Sequence, residues 1–443
     1  MTRISFIGAG SVVFARNLVT DILTYPELED STISLMDVDP DRLDTVATVL
    51  RHTVDEHDLD ATIEATTDRR ESLRDADYVI NAIHVGGAAP FENEIEIPRE
   101  YGVAQAVGDT LGPGGVFRAL RTVPTLLDIA RDMEELCPDA LLLNYTNPMA
   151  MLCWAVDEAT DVDVIGLCHS VPHTVSALAD YVGVPEDEVE YWVAGINHLA
   201  WFLELEHDGR DLYPDLHDAA ADPDLYDQDN VRFDLFEHFG YFVTESSNHA
   251  SEYLPYVRDD PDVLEEYVVG DLETDWYFTD WMETGHYLEH WRAYREEHDD
   301  RTADDYDTDL ERSPEYGSRV IHSMETGERR RMNLNVRNRG TVSNLPADCC
   351  VEVPCLVDDR GVHATRVGDL PTQLAALCRT NVNVQALAVE GALDHDAEAV
   401  RQAVALDPLT SACCTLDEVE SMVDDLFAAN ADYLADELVA DAL

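Results

Sequence analysis

Lysine is missing altogether from this 443-residue chain. Every basic side chain other than histidine is therefore an arginine, and 28 of them face 92 Asp and Glu, for a formal net charge of −64. So little positive charge excludes a basic phosphate-binding face, so nucleic acid is a poor partner. The excess of acid also repels itself and destabilises a compact state at low salt. At molar salt the Debye length falls to about 3 Å and that repulsion largely vanishes. The acid is spread along the chain rather than gathered in one tail, which points to a halophilic protein rather than to an acidic docking surface.

Long apolar runs are missing too. No stretch is suited to span a bilayer, and the first residues lack the charged-then-apolar pattern of an export signal. The expected location is cytoplasmic, with no membrane partner. Cysteines number nine, and an odd count without an export signal argues against a disulfide framework. The pairs Cys349-Cys350 and Cys413-Cys414 read as small buried apolar side chains. The 45% hydrophobic content is ordinary, and the length suits two lobes.

What is present begins with an apolar run, Ile4 to Ile7, that ends in Gly8-Ala9-Gly10-Ser11. Helical spacing follows over Val12 to Leu23, then a second apolar run, Ile33 to Met36, ending at Asp37. That is a βαβ unit. Asp39-Pro40 opens another helix; Ala76 to Ile83, Leu141 to Leu143 and Val164 to Leu167 read as further strands. The spacing predicts a Rossmann-type, doubly wound α/β domain over residues 1–195 and an α+β lobe over 196–443. In that second lobe Asn197 to Leu205 and Val351 to Val357 read as strands. Tyr267 to Glu297, Leu370 to Leu393 and Leu416 to Leu438 read as helices; Leu212 to Asn230 and Asp299 to Arg312 read as loops.

Gly8 and Gly10 stand where a turn must tighten and a backbone must approach a pyrophosphate, which the following helix N-terminus attracts. The third glycine of the usual fingerprint is absent, since Val13 stands there. Ser11 opens the helix. Asp37 can accept both ribose hydroxyls and repels a 2′-phosphate, so NAD is favoured over NADP. Asn81, in the strand read over Ala76 to Ile83, completes the predicted cofactor set. A plain β–α turn with a surface acid is the simpler alternative.

Four segments concentrate polar residues where strands end. Gly108 to Gly115 is a Gly-rich turn in which Asp109 is either an acid or a capping anchor. In Asn144-Tyr145-Thr146-Asn147-Pro148 the carboxamides suit sugar hydroxyls, or merely start a turn. Cys168 beside His169 is a buried small residue, a thiolate ligand or a nucleophile. His198, in Gly195-Ile196-Asn197-His198, sits at an element boundary. One Cys and one His are too few for structural zinc, but they suit an open metal site completed by water and substrate oxygens.

Taken together these segments resemble glycoside hydrolase family 4, in particular its melibiase-type α-galactosidases. The resemblance runs through Ile7 to Ser11, Leu35 to Pro40, Asp109 to Gly115, Asn147 to Met151 and Gly166 to Val171. It continues through Gly195 to His198, Gly240 to Ser247, Asn344 to Pro346, Cys349 to Val353 and Thr380 to Gln385. It implies a lactate/malate dehydrogenase-like fold, bound NAD, and Mn²⁺ or another divalent metal on Cys168 and His198. It implies Tyr253 as the base, Asp109 as the acid or leaving-group contact, and Asn147 and His169 on the sugar. The implied route is transient oxidation at C3, elimination across C1–C2, water addition and re-reduction. It implies a small α-glycoside substrate and a homo-oligomer, dimer or tetramer. An α-glucosidase or α-glucuronidase of the same family, a plain NAD-dependent sugar or hydroxyacid dehydrogenase, and a non-catalytic sensor are the alternatives.

Overall fold

The computed structural model describes residues 1–268, 282–299, 301–313 and 315–443. Twelve strands form one sheet: β1 (Arg3–Ile7), β2 (Thr32–Met36), β3 (Thr62–Thr66), β4 (Tyr78–Asn81), β5 (Leu141–Asn144), β6 (Val164–Gly166), β7 (Glu190–Ile196), β8 (Leu199–His207), β9 (Arg210–Asp211), β10 (Arg330–Arg337), β11 (Cys350–Asp358) and β12 (Gly361–Ala364). The order is β3-β2-β1-β4-β5-β6-β10-β11-β7-β8-β9, with β12 paired to β11.

The first six strands pair in parallel. β1, β2, β4 and β5 are almost wholly buried, as strands covered by helices on both faces must be. Their order reverses direction between β1 and β4, and ligands bind outside the carboxyl ends of such strands at that point. The remaining strands pair antiparallel. β10 joins β6 through Asn335 opposite Gly166, and β11 joins β7 through Glu352 opposite Gly195. The Rossmann-type expectation is met, and one sheet runs through both halves of the chain.

Helices end where local chemistry ends them. The helix Val12–Leu23 begins after Ser11, whose side chain makes no capping bond, so its first N–H groups stay available. The helix Pro40–Glu56 is capped by the Asp39 carboxylate, with Pro at the first position.

Two expectations need correction. The stretch Leu212 to Asn230 is not all loop: it carries the helices Tyr213–Ala220 and Pro223–Tyr226. Each has Pro in its first turn and an Asp near its N-terminus, where acid is stabilising, and Leu216 and Ala219 are buried. Leu416 to Leu438 is broken: a helix Leu416–Asn430, a short 3₁₀ turn, then a helix Asp436–Ala442. The break falls at Asn430, whose buried side chain donates back to Leu426 O at 3.1 Å and meets Asn93 Nδ2 at 3.2 Å. Of Tyr267 to Glu297, residues 269–281 lie outside the described residues, and the helix found there is His286–Asp299.

All nine cysteines are free. Cys349 and Cys350 are buried as expected, while Cys413 and Cys414 are only half-buried. No helix among the described residues is long and apolar enough to cross a membrane.

Candidate active site

Two adjoining cavities open at the carboxyl edge of the parallel strands. The larger, about 890 Å³, is lined by Gly8, Gly10, Ser11, Asp37, Val38 and the helix His286–Asp299 among others. The smaller, about 310 Å³, is lined by Asp109, Arg118, Asn147, Cys168, His169, His198 and Glu245. Ser11, Ala82, Ile83, His84, Tyr287 and Trp291 line both. A ligand laid along the first cavity therefore ends beside the second.

The glycine turn is built for close approach. Gly8 has φ +86°, and a Cβ there would meet Ala82 O at 2.6 Å. A Cβ on Gly10 would fall on the Asp37 carboxylate at 2.7 Å. Instead the Gly10 N–H donates to Asp37 Oδ2 at 2.7 Å, and the Asp39 N–H donates to Oδ1 at 2.9 Å. The free N–H groups of the following helix, the missing side chains and an oriented acid at the end of β2 are the features a dinucleotide needs. Asn81 differs from expectation. It lines neither cavity; its Nδ2 donates to Asn144 Oδ1 at 2.8 Å and to Thr146 Oγ1 at 3.2 Å. It fastens β4 to β5 as the residue directly opposite Asn144, while its own Oδ1 is buried without a hydrogen-bond partner among the described residues.

In the smaller cavity Cys168 Sγ lies 3.1 Å from His198 Nε2. Cys168 follows β6, and its backbone is clamped by Tyr316, whose hydroxyl accepts the Cys168 N–H and donates to its carbonyl. His198 is in the tight turn between β7 and β8, at φ +59°, which aims its ring across the sheet edge. Burial pushes the Cys168 thiol up, so a thiolate there requires a cation beside it. No group of three or more His, Cys, Asp or Glu able to hold a metal occurs among the described residues. A thiolate and an imidazole leave the remaining positions of a divalent ion to water or substrate, the open arrangement of a catalytic site.

Asp109 and Asn147 come together: Asn147 Nδ2 donates to Asp109 Oδ2 at 3.0 Å. Burial opposes ionisation of Asp109, but Arg118, His249, His198 and the Asn147 bond outweigh it and hold its carboxyl below the ordinary range. His169 pairs with Glu315 at 3.2 Å, and that carboxylate overcomes burial to lift the imidazole to about 9. Tyr253 lies outside the cavity lining. Its hydroxyl is 3.2 Å from His198 Nδ1, on the ring edge opposite Cys168, and burial drives its pKa well above the usual phenol value.

Several site residues escaped the sequence. Glu245 lines the cavity at φ +78°, held there by Thr174 Oγ1, which accepts its N–H, and by Arg232, which donates to its carbonyl. Burial opposes its charge, yet His249, His198, Ser246 and Arg232 keep it ionised. Thr110 Oγ1 is 3.4 Å from His198 Nδ1. Tyr287 lines both cavities, with burial pushing its phenol up to about 12. Arg118 donates to the Asn147 carbonyl at 3.2 Å. Glu245 sits in the Gly240 to Ser247 stretch that carries the family resemblance, so its position was marked there but its role was not.

The chain resembles known proteins along nearly its whole length. The model of the family 4 glycosyl hydrolases matches residues 3–184, and that of their C-terminal domain matches residues 193–410. An α-galactosidase of Bacillus subtilis is 44% identical over 438 residues, covering 98% of this chain and 99% of that protein. A solved putative glucosidase, lplD of Bacillus subtilis, superposes with a TM-score of 0.83 at 26% identity, covering 96% of this chain and 99% of that one. A 6-phospho-β-glucosidase of Thermotoga maritima, solved with manganese, NAD⁺ and glucose 6-phosphate, superposes with a TM-score of 0.79 at 21% identity, covering 98% and 99%.

Proposed function

The chain belongs to family 4 of the glycosyl hydrolases, and on that premise we propose that it hydrolyses α-galactosides with bound NAD and a divalent ion, Mn²⁺ in the first instance. The observation that supports this reading is the shared wall between the two cavities: a dinucleotide laid along the larger would bring its reactive end beside Cys168 and His198. The full-length likeness to an α-galactosidase supports the substrate.

Gly8, Gly10, Ser11 and Asp37 would hold the dinucleotide, and Cys168 and His198 the ion. Bound there, these groups supply reversible oxidation at sugar C3 and Lewis acidity toward its oxygen. The chain does the rest. Asn147, whose Oδ1 has no hydrogen-bond partner among the described residues, accepts a sugar hydroxyl. Asp109, as a carboxylate, anchors Asn147 and accepts a second hydroxyl. His169 is kept cationic by Glu315 and donates to the sugar or its leaving oxygen. Tyr253 would take the proton from C2 as a phenolate, the form that burial opposes and that a divalent ion held by Cys168 and His198 would favour, with its oxygen oriented by His198 Nδ1. Elimination across C1–C2, water addition and re-reduction complete the route.

The excess of acid goes with this as a salt adaptation, and the chain reads as two lobes meeting near residue 195. The test is an assay with aryl α-galactoside and α-glucoside in molar KCl, with and without NAD⁺ and Mn²⁺. The reading expects cleavage of the galactoside only when both are present, with solvent deuterium at C2 of the product. Undiminished cleavage without either, or net accumulation of NADH, sinks it.

A further inference from the structure

Asp21 is a buried acid in an unfavourable place. It stands in the last turn of the helix Val12–Leu23, where the helix dipole opposes negative charge, and burial lifts its carboxyl above the ordinary range. Its partner comes from 292 positions away: the Ser313 N–H donates to Oδ1 at 2.7 Å and the Ser313 hydroxyl to Oδ2 at 2.5 Å. Arg312 is seated on the same helix end, with Nε donating to Thr24 Oγ1 at 2.8 Å and the guanidinium 3.9 Å over the Tyr25 ring.

The residues beyond Ser313 enter the candidate active site. The Ser313 oxygen that donates to Asp21 also accepts the Glu315 N–H at 3.2 Å, and the Glu315 carboxylate in turn pairs with His169 Nδ1 at 3.2 Å. The bonds run without a break from Asp21 through Ser313 and Glu315 to His169. Tyr316 then grips Cys168: its hydroxyl accepts the Cys168 N–H at 3.0 Å and lies 2.7 Å from the Cys168 carbonyl. The Gly317 N–H donates to Tyr145 Oη at 3.1 Å, and a side chain at 317 would collide with that oxygen. Tyr145 lines the smaller cavity and packs edge-on against Phe14, which lines it too and lies on the same helix as Asp21.

We propose that Asp21 and Ser313 are positioning residues for the reaction: from the far end of the helix that begins at the glycine turn, they set Glu315 against His169 and Tyr316 against Cys168. This rests on the reading above that His169 meets the sugar and Cys168 the ion. Cys168 and His169 lie past the end of β6, so this strip fixes what the sheet does not. Hydrogen bonds to a carboxylate are the strong kind, and here both oxygens accept.

The test uses the full chain in molar KCl and the variants Asp21→Ala, Asp21→Asn and Ser313→Ala. Hydrogen exchange follows residues 166–171 in protein without added metal, and electron paramagnetic resonance of added Mn²⁺ gives the ion affinity. Asp21→Ala and Ser313→Ala are expected to speed exchange across residues 166–171 about tenfold or more, with wild-type protection kept in β1, and to weaken Mn²⁺ about tenfold. Asp21→Asn, which keeps an oxygen for the Ser313 N–H and offers its amide to the hydroxyl, is expected to restore both. Asp21→Ala combined with Ser313→Ala is expected to match Asp21→Ala alone, because the two residues share one link. Ser313→Ala, at a half-buried position, decides the matter if Asp21→Ala fails to fold. Wild-type exchange at residues 166–171 in the folded Ala variants overturns the proposal, and so does a loss of protection spread evenly over β1 and the site. Wild-type protein that binds no Mn²⁺ removes the ion reading itself, and the exchange result then decides the role of Asp21 and Ser313 alone.

Discussion

The Glu252 carboxylate accepts the N–H of Val107 at 2.6 Å and that of Gly108 at 3.3 Å, so the residue next to Tyr253 also holds the loop that carries Asp109. Glu252 is buried, and two backbone donors lose this acceptor when it goes. Glu252→Ala is expected to lower unfolding free energy by about 2–4 kcal/mol and kcat by at least about tenfold. Glu252→Gln, which keeps an acceptor, retains most of both. Denaturant unfolding and steady-state kinetics on the aryl α-galactoside check this; an Ala variant with wild-type kcat separates the loop from catalysis.

Chelation addresses Cys168 and His198. Wild-type activity is expected to vanish with EDTA and return with Mn²⁺. Cys168→Ala and His198→Ala are expected to lose about a hundredfold or more and to gain nothing from added Mn²⁺. A Cys168→Ala enzyme that still responds to the metal moves the ion elsewhere.

Two tyrosines border the site, Tyr253 behind His198 and Tyr287 in the wall between the cavities. Tyr253→Phe is expected to cut kcat by about 10²–10⁴, the worth of a general base, and to slow deuterium entry at C2 in parallel. Tyr287→Phe is expected to act chiefly on KM. The opposite pattern transfers the base to Tyr287.

Arg121 and Glu94 form a fully buried ion pair, with Nε–Oε1 at 2.6 Å, and Arg121 also donates to the Val85 carbonyl at the edge of the larger cavity. Removing one partner strands the other without water. Arg121→Met is expected to cost about 3–5 kcal/mol, and Arg121→Met with Glu94→Leu much less than the sum of the single changes. Unfolding by guanidinium reads the cycle, and simple additivity would show that the two groups do not compensate one another.

Asp407 supplies a pH signature. Burial lifts its carboxyl from 3.8 to about 6, although Thr410 donates to it through both N–H and hydroxyl. Folding therefore favours the protonated form. That contribution is complete below about pH 4 and is lost as pH rises through 6. The stability of wild type relative to Asp407→Asn is expected to fall by about 2–3 kcal/mol between pH 4 and pH 7. A difference that does not change with pH contradicts the raised value.

Much of the fold and part of the site can be read from the sequence, for identifiable reasons. The glycine turn, Asp37 and the capped helix at Pro40 are written in local patterns, and β1, β2, β4, β5 and β6 follow from apolar runs of strand length; β3, largely polar and exposed, does not. Cys168 and His198 are visible because polar residues at strand ends are conspicuous. Glu245, Glu252, Thr110 and Tyr316 are not, since each acts through a partner far away in the chain. Tyr316 reaches Cys168 across 148 positions, and Glu252 reaches Val107 across 145. Asn81 stands at a strand end yet turns inward, and only its pairing with Asn144 reveals that.

Because β10 and β11 bridge β6 to β7, the thiol and the imidazole hang from a single hydrogen-bonded plank. Their separation cannot be altered by rocking one half of the molecule against the other without breaking main-chain bonds. Room for an incoming ligand must come from the helical cover above, while the floor stays in place.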